Sequence, residues 1–215
     1  MRVIIFANGE FNGVSRELIK SGNYIIAADG GALHCIGMKI IPDVVIGDFD
    51  SLSSENIINL QESGADILRF PAKKDQTDLE LALEHAVLQG AKEIIILGAL
   101  GGRWDMTFSN VLLMAKLSYS DCLVRVIDEY NEIVLIKTGE RIKLSGRKGD
   151  TLSLIPLAGD ALGITTEGLE YPLDSDKLSF GSPRGVSNVM LGQKAGVHIK
   201  QGTLLCLLTH KANER

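Results

Sequence analysis

The chain has only three cysteines, and Cys35, Cys122 and Cys206 stand far apart in its 215 residues. There is no CxxC and no Cys/His cluster, which excludes the usual zinc sites. An odd, scattered count fits a reducing, cytoplasmic compartment rather than a disulfide framework. A basic surplus is lacking too: 22 Lys and Arg stand against 27 Asp and Glu, a net charge of −5. No nucleic-acid partner is expected, because such a partner asks for a basic stripe. An anionic substrate would need local cations or a bound metal to offset the acidic background. No apolar run approaches the ~20 residues of a membrane span, so no membrane partner is expected. The opening run Met1–Ala7 is ended by Asn8-Gly9-Glu10 before it reads as a signal peptide. Two nucleotide signatures are also absent, the GxxxxGK of a P-loop and a GxGxxG after a strand. There is no internal repeat and no low-complexity segment.

What the chain does have is alternation. Short Ile- and Val-rich runs at Val3–Phe6, Tyr24–Ala28, Val44–Ile46, Ile67–Phe70, Ile94–Leu97 and Leu123–Ile127 read as strands buried on both faces. Helical patterns lie between them, at Val14–Lys20, Ala32–Met38, Ser54–Ser63, Asp78–Gln89 and Asp105–Leu117. In the clearest, Leu79, Ala82, Leu83, Ala86 and Val87 share a face, and Thr77 with Glu80 forms a capping-box signature. Strand and helix in turn predict an α/β domain over residues 1–138, a mostly parallel sheet with flanking helices. Beyond Thr138-Gly139 the pieces are short and strand-like: Arg141–Leu144, Thr151–Leu157, Gly163–Thr166, Leu178–Phe180, Ser187–Leu191, Val197–Lys200 and Leu204–Thr209. No helix stands out there, and Lys200-Gln201-Gly202-Thr203 reads as a hairpin turn. Residues 139–215 are thus expected to form a small all-β sandwich, which needs a neighbour because its own core is marginal.

Acidic residues fall where the strands end. Asp29 follows Tyr24–Ala28 in Asp29-Gly30-Gly31. Asp48 and Asp50 follow Val44–Ile46. Asp75 and Asp78 follow the strand ending at Phe70, in Lys73-Lys74-Asp75-Gln76-Thr77-Asp78. Gly98, Gly101, Gly102, Arg103 and Asp105 follow Ile94–Leu97. In a parallel sheet all these ends share one edge, where ligands bind. Asp48 and Asp50 are two apart, which in an extended segment places both side chains on one side. Two such carboxylates call for a cation between them or for one to stay protonated. An oxygen-only donor set favours Mg²⁺, Mn²⁺ or Ca²⁺. The glycines let backbone amides approach an anion ahead of a helix, and Arg103 can grip a phosphate with two donors. Taken singly, each piece has a plainer reading: a turn at Asp29-Gly30-Gly31, a favourable helix start at Asp75 and Asp78, a shaped loop at Asp48 and Asp50, and a solvated lysine pair at Lys73-Lys74. A purely structural cause need not gather all of them on one edge.

Together, Ala28-Asp29-Gly30-Gly31, Pro42-Asp43-Val44-Val45-Ile46-Gly47-Asp48-Phe49-Asp50-Ser51, Lys74-Asp75-Gln76-Thr77-Asp78-Leu79-Glu80 and Gly101-Gly102-Arg103-Trp104-Asp105 resemble the thiamine pyrophosphokinase family in order and spacing. Glu167–Leu173 and Gly185–Asn188 resemble that family's β-domain motifs, so the likeness spans nearly the whole chain. The resemblance implies an enzyme that couples ATP to thiamine, gives thiamine diphosphate and AMP, and works as a homodimer with Mg²⁺ as cofactor. It implies that Asp29, Asp48, Asp50, Asp75 and Asp78 hold metal and pyrophosphate. It places Gly30, Gly31, Lys73, Gln76, Thr77, Gly101, Gly102, Arg103 and Asp105 around ATP, and Tyr171, Leu173, Ser187 and Asn188 in the thiamine site. Asp75, Asp78 and Arg103 are the candidate catalytic residues, with metal ligand and general base not separated among the aspartates. The pattern departs at Met106, where a histidine is expected, and the single tryptophan, Trp104, lies outside the β domain. A pyrophosphokinase for another alcohol such as a hydroxymethylpterin, a magnesium-dependent phosphohydrolase and a non-catalytic nucleotide-binding protein remain as alternatives.

Overall fold

The structure, a computed structural model, describes residues 1–11, 18–19, 22–116 and 122–211. The expected helix Val14–Lys20 lies almost wholly outside the described residues. Two compact units divide the chain, Met1–Glu129 and Tyr130–Arg215.

The first unit contains β1 (Arg2–Phe6), β2 (Tyr24–Ala28), α1 (Gly31–Met38), β3 (Val44–Gly47), α2 (Ser54–Glu62), β4 (Asp66–Arg69), α3 (Asp78–Leu88), β5 (Glu93–Leu97), α4 (Trp104–Lys116) and β6 (Leu123–Ile127). Its strands run in the order β6-β5-β1-β2-β3-β4, and every pair is parallel. β1, β2, β3 and β5 are buried nearly throughout, as their unbroken apolar runs require. β4 departs from the expectation. It starts at Asp66 and is largely exposed, because it is the edge strand beside β3 alone. Thr77 caps α3, its hydroxyl accepting the Glu80 amide at 3.2 Å, while the Glu80 carboxylate turns outward to Lys116. The buried face of α3 is Leu79, Leu81, Ala82, Leu83 and Ala86; Val87, expected there, is only half-buried. The order reverses between β1 and β5. The chain leaves β1 toward β2, β3 and β4, then returns to the other side of β1 as β5. Loops leaving such a pair diverge and open a crevice beyond the strand ends.

The second unit has two antiparallel layers. One is β12 (Asn188–Val189), β9 (Thr151–Pro156), β14 (Thr203–Thr209) and β7 (Asn131–Lys137), in that order. The other is β11 (Asp176–Leu178), β10 (Ala161–Glu167), β13 (Lys194–His198) and β8 (Arg141–Ser145). Val134, Leu144, Leu152, Ile164, Val197, Leu204 and Cys206 interlock in one core, as in a sandwich. β7 was not foreseen. Its apolar run directly follows β6, and it belongs to the second unit, ahead of the expected change of texture at Gly139. Lys200–Thr203 is a corner rather than a hairpin, because β13 pairs with β8 and β10 while β14 pairs with β7 and β9. The expected strand Ser187–Leu191 shrinks to Asn188–Val189, since Ser187 has a φ of 61° and cannot continue a ladder. A single 3-10 turn, Pro183–Gly185, precedes it.

Candidate active site

The loops after β1, β2, β3, β4 and β5, with the start of α3 and the first turns of α4, line a crevice of about 1030 Å³. Of the expected residues, Asp29, Asp48, Lys74, Thr77, Asp78, Gly101, Gly102 and Arg103 line it. Asp29 sits at its floor, 5% exposed, with a φ of 44° and its amide donating to Ile46 O at 2.8 Å. Gly47 permits this approach, since a Cβ there would lie 3.0 Å from Asp29 Cβ. Gly31 is needed for packing, because a Cβ would come within 2.0 Å of Phe6 O. Gly30 faces the Asn8 side chain.

Carboxylate oxygens of Asp29, Asp48 and Asp50 all lie within 4.8 Å of one another. The reason differs from the expected one. The segment is not extended: Phe49 has a φ of 67°, and this left-handed kink turns Asp48 and Asp50 together toward Asp29. A bulky side chain in that region costs about 1 kcal/mol or more, and Phe49 is held there by burial in the core of the unit. The Asp50 amide donates to Asp48 Oδ1 at 3.1 Å and Ser51 Oγ to Asp50 Oδ1 at 3.0 Å. Asn8 holds Ser51 in turn at 3.2 Å. Asp29 Oδ1 is buried with no hydrogen-bond partner among the described residues. An orphaned carboxylate oxygen beside two further carboxylates is what a hard divalent cation would satisfy.

Asp78 opens α3 and faces the same space. Its Oδ1 forms an ion pair with Lys74 Nζ at 3.0 Å, and Lys74 also stands 3.8 Å from Asp48. Burial pushes the Asp78 carboxyl above the ordinary range. Lys74 opposes the rise, and Asp29 and Asp48 add to it. Asp75 and Lys73 are exposed and outside the crevice lining. Gln76 turns to Glu84, donating at 2.8 Å.

On the phosphate side, the Gly101 amide donates to Thr107 Oγ1 at 3.2 Å and the Gly102 amide to Glu10 Oε1 at 2.8 Å. Arg103 is 75% exposed and forks onto Asp105, with Nη2 at 2.6 Å and Nε at 3.3 Å. Asp105 holds the Arg103 guanidinium above its usual range, and Arg103 holds the Asp105 carboxyl below its own. Sequence reasoning missed Asn8, Glu10, Thr107 and Asn110 in the lining. Glu10 follows β1 as the acidic residues follow the other strands, so the same rule reaches it, with the amide Asn8 beside it. Asn110 is buried inside α4, donating to Ala99 O at 2.7 Å, and nothing in the sequence marks it. Met106 presents a thioether to the crevice.

In the second unit, the Asn188 side chain binds both backbone polar groups of Tyr171, accepting from its amide at 3.0 Å and donating to its carbonyl at 2.6 Å. Tyr171 is 66% exposed. The Ser187 amide donates to Ser153 Oγ at 3.0 Å. Leu173 packs against the core, its amide on Thr166 Oγ1 at 2.9 Å.

Residues 15–126 match the family model "Thiamin pyrophosphokinase, catalytic domain", and residues 139–204 match "Thiamin pyrophosphokinase, vitamin B1 binding domain". The thiamine pyrophosphokinase of Bacillus subtilis is 30% identical over 182 residues, 85% of each chain. Thiamin pyrophosphokinase 1 of Caenorhabditis elegans is 25% identical, covering 86% of this chain and 80% of its own. The crystal structure of the Bacillus subtilis protein superposes with a TM-score of 0.88 at 26% identity, over 99% of this chain and 100% of the other. The thiamin pyrophosphokinase from Candida albicans, at 18% identity and a TM-score of 0.81 over 97% and 89%, shares the fold.

Proposed function

The chain belongs to the thiamin pyrophosphokinase family, and from that premise we propose how its own residues carry the reaction. It is an enzyme that makes thiamine diphosphate from ATP and thiamine. A pterin pyrophosphokinase, a phosphohydrolase and a nucleotide sensor are not favoured, because both halves of the chain match thiamine-specific models.

The observation that carries the reading is the Asp29–Asp48–Asp50 cluster, with its orphaned Oδ1, at the ends of the neighbouring strands β2 and β3. Family membership brings a divalent metal, and we assign Mg²⁺ to these three carboxylates. When bound it supplies charge neutralisation of the ATP phosphates. The Gly101 and Gly102 amides, now held by Thr107 and Glu10, and the Arg103 fork, now on Asp105, are donors for phosphate oxygens. The thiamine hydroxyl attacks the β-phosphorus in line, AMP leaves, and a carboxylate accepts the hydroxyl proton. Between the two candidates, Asp78 suits that role, because it faces the crevice with a raised pKa, whereas Asp75 is exposed outside it. Asp75, Lys73, Gln76, Gly30, Gly31 and Asp105 then support the loops that carry these groups. Tyr171, Leu173, Ser187 and Asn188 are assigned to thiamine, with the ring of the exposed Tyr171 as the apolar contact.

Membership also supports a homodimer, which sedimentation would reveal as twice the chain mass. Three free cysteines, two of them buried, support a cytoplasmic setting. Among the described residues no helix is long and apolar enough to cross a membrane. The deciding experiment incubates the protein with ATP, Mg²⁺ and thiamine. AMP and thiamine diphosphate should form in equal amounts, and only when thiamine and the metal are both present. Phosphate release without thiamine, or binding without turnover, would overturn the assignment.

A further inference from the structure

We propose that Arg69 is a positioning residue for the metal ligands, a role that rests on the reading of Asp29, Asp48 and Asp50 as a cation site. Arg69 is the last residue of the edge strand β4, in register with Gly47 at the end of β3. From there its Nη1 donates to the Asp48 carbonyl at 2.9 Å, and its guanidinium lies 4.7 Å from the centre of the Phe49 ring. Phe70, the next residue, closes the same turn, its amide donating to Gly47 O at 2.8 Å. Gly47–Asp50 is the segment whose kink aims two carboxylates at Asp29, and the kink depends on Phe49 keeping a φ of 67°. One face of the Phe49 ring is thus covered by a cation whose other donor fixes the preceding carbonyl, so a single side chain grips the kink at two adjacent residues. Arg69 itself is exposed and outside the crevice lining, so it acts through the loop and not on substrate.

The sign of the effect separates this role from simple electrostatics. A positive charge near a cation site repels the cation, so removing a merely superficial Arg69 tightens metal binding. Removing a positioning Arg69 loosens it, because the ligand pair is no longer held, and supporting groups around a metal are worth about tenfold or more in affinity. The test titrates Mn²⁺ alone into metal-free protein and follows the loss of its free electron-paramagnetic-resonance signal. Arg69→Met keeps an apolar stem over Phe49 and loses the donor and the charge. It should bind Mn²⁺ roughly tenfold more weakly, with kcat at saturating Mg²⁺ near wild type and a higher Mg²⁺ requirement. Arg69→Lys leaves the repulsion unchanged but cannot lie flat on the ring and reach the carbonyl together, so it should also bind more weakly. Unchanged or tighter Mn²⁺ binding in either folded variant overturns the proposal. Asp48→Asn is the control: if it leaves Mn²⁺ binding untouched, the cation site itself is wrong, whatever Arg69 does.

Discussion

The two units treat their polar residues in opposite ways. At the strand ends of the first, a buried carboxylate oxygen is left without a partner, and the groups around it are tied to charged side chains. Asp29 Oδ1 has none among the described residues, Lys74 is shared between Asp78 and Asp48, and the Gly102 amide is held by a glutamate from another loop. In the second unit the polar residues are satisfied by their neighbours. Asn188 closes on Tyr171, and buried Asp150 accepts from the Arg147 and Lys211 amides and pairs with His210. Unsatisfied groups at one sheet edge are poised for a ligand, whereas satisfied ones hold a surface in shape. Substitutions in the crevice of the first unit should therefore cost activity and spare stability, whereas those at the ties of the second should cost stability along with any hold on thiamine.

The sharpest contrast is expected at the Asp48–Asp50 loop. Asp48→Asn or Asp50→Asn should lower kcat by roughly a hundredfold or more, while the metal-free protein melts no earlier than wild type because like-charge repulsion is relieved. A variant that melts much earlier with its turnover preserved would break the contrast. Arg103→Lys comes next. It keeps the charge and loses the planar fork, so kcat/KM for ATP should fall about tenfold with thiamine binding unchanged by calorimetry. Near-normal kinetics would reduce Arg103 to a surface residue paired with Asp105. In the second unit, Asn188→Ala removes the ties to Tyr171 and should cost about 1 kcal/mol in urea unfolding. An unchanged unfolding curve with lost thiamine affinity would make Asn188 a contact and not a tie.

Acid titration gives the smallest effect. The raised pKa of Asp78 means that its ionised form costs stability, so the fold gains as pH falls through that raised value toward the ordinary one. Burial pushes the Asp150 carboxyl up, but hydrogen bonds from His210, Lys211 and Arg147 outweigh it and leave it low. Its stabilisation is present above the ordinary aspartate value and is lost as pH falls through the depressed one. At neutral pH, metal-free Asp78→Asn should be more stable than wild type and Asp150→Asn less stable. As pH falls, the first difference should fade before the ordinary aspartate value is reached, and the second only below it. Differences of the same sign would erase the distinction between the units.

Buried strands and the rule that ligands gather at parallel strand ends were legible, because Ile–Val runs and the acidic residues after them are local patterns. Less legible was anything set by contact across the chain. Asn131–Lys137 became a strand of the second unit only through its seven-residue pairing with β14. The Asp48–Asp50 pair was expected from an extended segment, but the kink at Phe49 depends on core packing and on Arg69, 20 residues away by their numbers. Glu10 reaches Gly102 across a separation of 92 residues, beyond any motif.

The most direct measurement is an anomalous-scattering map from crystals grown with Mn²⁺ and a non-hydrolysable ATP analogue. A peak bounded by Asp29, Asp48 and Asp50, with Asp29 Oδ1 among its ligands and the analogue's phosphates against it, is the predicted result. A peak elsewhere, or phosphates bound in the crevice with Asp29 Oδ1 still without a partner, would contradict the account.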